Sequence, residues 1–184
     1  VLQGESPLAS RGDHAAPSLL FPMQAMFEAY VARHLGRQLD RAFALKAQAS
    51  SKYLVSHREE SWFRLKPDLL IRKNGLDVFV LDTKWKLIDS NKDRAAQKYD
   101  LAQSDFYQMQ AYGRSYLGDK GNIVLIYPKT AQFEAPLPEF NFPDAPDLKL
   151  WVLPFCLKTR KLLIPGSAPF AGLFSPLPTQ RLVA

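Results

Sequence analysis

The chain has 184 residues, 47% apolar and 23% charged, which is enough for one globular domain with a substantial core. Its single cysteine, Cys156, excludes an internal disulfide and any multi-cysteine zinc or iron–sulfur site, and no apolar run approaches the ~18 residues of a membrane span. The net charge of +6, from 24 basic and 18 acidic residues, suits a polyanionic partner, although a solvated basic surface would give the same count. With no secretory signal and one cysteine, a cytoplasmic protein is expected.

Residues 1–18 are rich in Gly, Ser, Ala and Pro without periodicity, so they are predicted to be a flexible lead-in. The folded domain is placed at 19–164, and 165–184 is read as an irregular C-terminal tail. Phe21 to about Gly36 reads as an amphipathic helix, with Phe27, Tyr30, Val31 and Leu35 at helical spacing and Gly36 as its stop. Residues 41–48 alternate as a strand, and the polar stretch 50–60 is predicted to be a loop. A hairpin follows over about 62–72 and 77–87, turning at Asn74-Gly75, a dipeptide that tolerates positive φ. Its loop is expected to be a residue or two longer than the tightest class. Asp89 to Lys98 is charged and predicted to be an exposed, mobile loop. A second helix is expected from about Leu101 to Leu117, closed by Gly118. The apolar run Ile123 to Tyr127 fits a strand buried on both faces and ended by Pro128. Residues 131–147, with four prolines, are an irregular connection. Leu148 to Leu157 and Leu162 to Ile164 are further strands. The order predicts an α/β fold, a mixed central sheet flanked by helices.

The chemistry sits in the hairpin. Lys66-Pro67-Asp68 enters the apolar run Leu69-Leu70-Ile71, and Val78 to Leu81 leads into Asp82-Thr83-Lys84. Strand residues i and i+2 share a face, so Asp82 and Lys84 point one way while Leu81 and Thr83 point the other. The hairpin carries Asp68 back beside them. Two carboxylates and an ammonium on one sheet face are the parts needed for metal-assisted phosphodiester hydrolysis. Asp/Glu-x-Lys alone is expected by accident roughly once in a chain of this length, and Asp147-Leu148-Lys149 is such a copy. The 68/82/84 set differs because charges leaving an apolar strand are costly unless they open into a site. The competing account is an ordinary same-face ion pair of Asp82 with Lys84.

This hairpin resembles that of the PD-(D/E)xK nuclease superfamily, with Asp68 as first acid and Asp82-Thr83-Lys84 as second acid and lysine. Two further segments narrow the resemblance. Leu20-Phe21-Pro22-Met23-Gln24-Ala25-Met26-Phe27-Glu28-Ala29-Tyr30-Val31 is similar to the helix entering the nuclease domain of the McrC family, the nuclease subunits of McrBC modified-DNA restriction systems. Asp105-Phe106-Tyr107-Gln108-Met109-Gln110-Ala111-Tyr112 is similar to that family's helix after the catalytic strand, and its Gln-x-x-x-Tyr pattern is shared with RecB-like nucleases. The resemblance covers about residues 20–128 well and the remainder weakly.

It implies a restriction-endonuclease-like core and a Mg²⁺-dependent DNA endonuclease, with Mn²⁺ able to substitute. Asp68, Asp82, the Thr83 carbonyl and Glu28 are the implied metal ligands. Lys84 is implied to orient or deprotonate the attacking water. Gln108 and Tyr112, at i and i+4 on one helix face, are implied to hold Lys84 or a phosphate. The implied partners are DNA and a McrB-like AAA+ GTPase that recognises methylcytosine. This chain has no Gly-rich phosphate loop and is not expected to bind GTP itself. Two cuts in a duplex would be supplied by a homodimer. McrC proteins carry an N-terminal region that meets the GTPase, and nearly all of it is missing here, which leaves a fragment or a stand-alone nuclease. Two other functions stay open: a RecB-like repair nuclease, and a catalytically silent nucleic-acid-binding module on the same fold. His14, His34 and His57 lack the spacing of a metal site, with His34 expected on a helix surface. Cys156, between Phe155 and Leu157, is expected to be a buried structural thiol.

Overall fold

In a computed structural model, residues 22–174 are described. The predicted lead-in over 1–18, His14, Phe21 and the last ten residues of the predicted tail lie outside them. Helix α1 spans Met23–Gln38, and strand β1, Phe43–Ala47, follows. Strands β2, Lys52–His57, and β3, Glu60–Leu65, come next, then β4, Leu69–Lys73, and β5, Leu76–Thr83. Helix α2 spans Gln103–Leu117 and leads into β6, Gly121–Pro128. Strands β7, Phe140–Phe142, β8, Ala145–Cys156, and β9, Lys161–Leu162, close the described chain.

Seven strands form one mixed sheet in the order β1-β4-β5-β6-β8-β7, with β9 also paired to β8. β5 pairs antiparallel with β4 and parallel with β6, and β6 pairs parallel with β8. The mixed α/β sheet and the two helices are therefore those expected. Alternation along the central strands sends side chains to opposite faces. Val80, Ile123 and Leu125 pack with Met109, Tyr112 and Tyr116 of α2. Leu81, Val124 and Ile126 pack with Phe27, Val31 and Leu35 of α1. α2 comes close to β8 at Gly113, where a Cβ would lie 2.5 Å from Leu148 Cδ2. Its C-terminus turns through Gly118 in the left-handed region (φ 63°), which lets the Gly118 and Asp119 amides reach the last helical carbonyls.

Several expectations need correction. The stretch 50–60 is not a loop: most of it is β2 and the turn of a separate β2–β3 hairpin. The turn residues Arg58 and Glu59 both have positive φ, a type I′ geometry that normally selects Asn or Gly, so the sequence carried no turn signal there. The Asn74-Gly75 turn is the tightest class, two residues between Lys73 and Leu76. The charged 89–98 loop is exposed for the most part but tied down, through Asp89 N–H to the Tyr99 carbonyl, Ser90 N–H to the Gln132 carbonyl and a Lys92–Asp100 pair. The first ten residues of the predicted tail are irregular in backbone yet packed, with Phe170 and Leu173 buried against the α1 face. His34 is buried, not on the surface, and burial lowers its pKa. Cys156 is half-buried at the end of β8. Among the described residues, no helix is long and apolar enough to cross a membrane.

Candidate active site

The switch from antiparallel to parallel pairing around β5 brings the start of β4 and the end of β5 to one edge of the sheet. Register pairs Leu69 with Leu81, so Asp68 arrives beside Asp82 and Thr83. The Asp68 carboxylate accepts hydrogen bonds at Oδ2 from the Thr83 amide and the Thr83 hydroxyl, both at 2.7 Å. This fixes its rotamer and leaves Oδ1 outside those two bonds.

Asp82 is the most constrained group. It is 2% exposed, and its Oδ2 lies 2.6 Å from Lys84 Nζ. Burial, and secondly the Asp68 carboxylate, push its pKa up to about 7, with Lys84 offsetting only part. Lys84 is held in turn by Gln108, whose Oε1 accepts from Nζ at 2.8 Å. Gln108 Nε2 donates to the Tyr112 hydroxyl at 2.9 Å, and that hydroxyl donates to the Lys66 carbonyl at 2.9 Å. Burial, then the Asp82 charge, push the Tyr112 phenol up to about 12, so it stays a donor. One hydrogen-bonded chain thus joins the lysine to the residue before Pro67-Asp68. This arrangement is more than the isolated same-face ion pair that the sequence left open.

Glu28 reaches the same edge from α1 but stands apart. Its Oε1 accepts from Gln48 Nε2 at 3.1 Å, and no hydrogen bond joins it to Asp68, Asp82 or Lys84. Burial, then Asp68, raise its pKa. It lines a cleft of about 380 Å³ with Gln48, Ser50, Arg64, Lys66 and Asp68. Among the described residues, no three His, Cys, Asp or Glu side chains converge as a preformed metal cage. A divalent cation that keeps most of its waters needs only one or two carboxylates, and the donor set suits one. Two carboxylates repel across the edge, and Asp82 Oδ2 lacks a well-aligned hydrogen bond. The Thr83 carbonyl already accepts from Gln24 Nε2 at 2.7 Å and would offer its second lone pair.

Sequence reasoning missed two contributors. Gln24 clamps the exit of β5, donating to the Thr83 carbonyl and accepting from the Trp85 amide at 2.7 Å. Asp105, 5% exposed, lies 3.7 Å from Lys84 Nζ and 3.2 Å from Lys86 Nζ, and accepts from the Tyr127 hydroxyl. The available signal was spacing: Gln24 is four residues before Glu28, and Asp105 three before Gln108. The second Asp-x-Lys copy lies on β8, with Asp147 exposed and Lys149 donating to Asn141.

Fold and site together define a mixed α/β protein that gathers a carboxylate pair and a hydrogen-bonded lysine at the fork of its sheet. The chain belongs to the McrBC 5-methylcytosine restriction system component family, whose model matches residues 1–128. A solved chain from the refined half-complex of a tetradecameric assembly of Thermococcus gammatolerans McrB AAA+ hexamers with bound McrC shares its fold. The TM-score is 0.52 at 20% identity, covering 73% of this chain. This chain spans 28% of that chain's length. No curated protein gives a match.

Proposed function

We propose that this chain is a Mg²⁺-dependent DNA endonuclease of McrC type, built on a PD-(D/E)xK core. The observation that carries the reading is the buried Asp82 carboxylate, set against Asp68 and paired with Lys84 at 2.6 Å. A buried carboxylate facing a half-buried one across a single lysine is electrostatically incomplete, and a divalent cation completes it. Asp68 and Asp82 would hold the ion, with the Thr83 carbonyl as a further oxygen donor and Glu28 reaching it through water. Bound there, Mg²⁺ supplies charge neutralisation and Lewis acidity toward a phosphate.

The remaining steps belong to the chain's own side chains. Lys84, fixed by Gln108 and flanked by Asp105, presents Nζ to orient the attacking water and to stabilise charge that develops on the phosphate oxygens. Tyr112 and Gln108 hold that ammonium in register with the Pro67-Asp68 turn, so the nucleophile and the phosphate are positioned by one helix. Family membership supports restriction of 5-methylcytosine DNA as the setting. The solved relative's assembly of McrB AAA+ hexamers with bound McrC supports a McrB-like AAA+ GTPase as partner.

The test is supercoiled plasmid incubated with the chain and Mg²⁺ or Mn²⁺, with and without such a GTPase. We expect nicking that requires the metal and disappears in Asp82→Ala. Nicking retained by Asp82→Ala would remove this site from the chemistry.

A further inference from the structure

We propose that the β2–β3 hairpin is a DNA-gripping wing that holds the substrate strand beside the cleft. This rests on the nuclease reading for its purpose, though its own test does not require cleavage.

The hairpin stands off the main sheet as a separate two-stranded ribbon. Every residue from Lys52 to Arg64 is exposed, and only its foot, Leu65, is buried. Its exposed surface is nonetheless apolar and aromatic: Tyr53, Leu54, Val55, Trp62 and Phe63, the last 67% exposed. Tyr53 lies opposite Arg64, and Val55 opposite Trp62, so these four share one face. Arg64 sits over the Tyr53 ring, 5.3 Å from its centroid, and donates to the Tyr53 hydroxyl at 2.8 Å. His57 stacks edge-on against Trp62 at 5.1 Å. Phe63 holds a positive φ of 56°, an unusual conformation for a bulky residue, and opens the ladder where it points outward.

Charge identifies the occupant. Lys52, Arg58, Arg64 and Lys66 lie on the hairpin or at its foot, against Glu59 and Glu60. None of the four cations forms an ion pair among the described residues, although six other pairs occur elsewhere. Arg64 and Lys66 also line the cleft that contains Glu28 and Asp68. Unpaired cations interleaved with exposed aromatics form a surface for a polyanion that carries flat rings. The phosphates would meet Arg64 and Lys66 next to Asp68, while Trp62 and Phe63 ride on the sugar or base faces beyond.

The experiment is fluorescence anisotropy of labelled duplex and single-stranded DNA with the full chain in EDTA, across a salt series. The proteins are wild type, Trp62→Ala/Phe63→Ala and Arg64→Ala. We expect the aromatic double variant to bind about tenfold more weakly or worse, and Arg64→Ala to lower the salt slope by about one. Melting should be unchanged, since these side chains are solvent-facing. Unchanged DNA affinity in the hairpin variants, or no DNA binding by wild type at low salt, overturns the proposal. So does a change confined to oligomeric state on sedimentation, which would make the ribbon a contact between copies of the chain. Hairpin-dependent binding without metal-dependent cutting, even with the GTPase present, would sustain the wing and sink the nuclease reading.

Discussion

Replacing Asp82 by Asn should stabilise the metal-free protein while abolishing cleavage. In the folded chain, the Asp82 pKa is raised from 3.8 to about 7, by burial first and by Asp68 second. Well below pH 3.8 the carboxyl is protonated in both states and imposes no penalty. As pH rises, the unfolded chain ionises first, so stability declines until the folded group also ionises near pH 7 and then levels off. Roughly three pKa units correspond to about 4 kcal/mol. Asparagine mimics the protonated form in shape but disturbs the contact with Lys84, so a net gain of about 2–4 kcal/mol is expected at pH 8. At about 2–4 °C per kcal/mol for a chain of this size, that is a rise in Tm of about 5–15 °C. Calorimetry in EDTA at about pH 3 and pH 8 would read it, with the difference becoming small at the acidic end. Mg²⁺ should raise the wild-type Tm at pH 8 and leave the variant unmoved, because only a site with affinity in the folded state shifts the equilibrium. A variant no more stable than wild type at pH 8 would refute the idea that this carboxylate is held at a cost.

Tyr112→Phe removes a donor from the Lys66 carbonyl and an acceptor from Gln108, and should cost about 1–2 kcal/mol in urea titrations. Plasmid nicking should slow with it, since Gln108 is then free to release Lys84. Gly113→Ala should destabilise by about 1 kcal/mol: the helix gains about that much from alanine, but overpacking against Leu148 costs about 1–3 kcal/mol. In a Leu148→Ala background the same change should become neutral or favourable, which chemical denaturation would show.

Much of this molecule was readable because its signals were local. The spacing of Phe27, Val31 and Leu35 gave α1, and the uninterrupted Ile123 to Tyr127 run gave a strand buried on both faces. Asp68, Asp82 and Lys84 stood out because charge flanks apolar strands there. The β2–β3 hairpin was invisible for the opposite reason: a ribbon exposed on both faces shows no burial pattern, and Arg58-Glu59 is not a turn dipeptide. Phe170 and Leu173 looked like tail residues because nothing in an irregular segment reveals that it folds back onto a core. Gln24 and Asp105 carry only the weak signal of helical spacing from Glu28 and Gln108, and their roles depend on partners such as Thr83, Lys84 and Lys86, which lie about twenty to sixty residues away.

The hairpin is hung between β1 and β4, whose pairing from Phe43 with Lys73 to Ala47 with Leu69 closes beneath it. Its length is therefore independent of the frame that aligns Asp68 with Asp82. Loop closure becomes only slowly more expensive as a loop grows, so relatives could lengthen, shorten or rewrite the ribbon without retuning the sheet. Reach toward the substrate and the chemistry at the sheet edge can then diverge separately, with one scaffold keeping its reactive centre while its grip adapts to new targets.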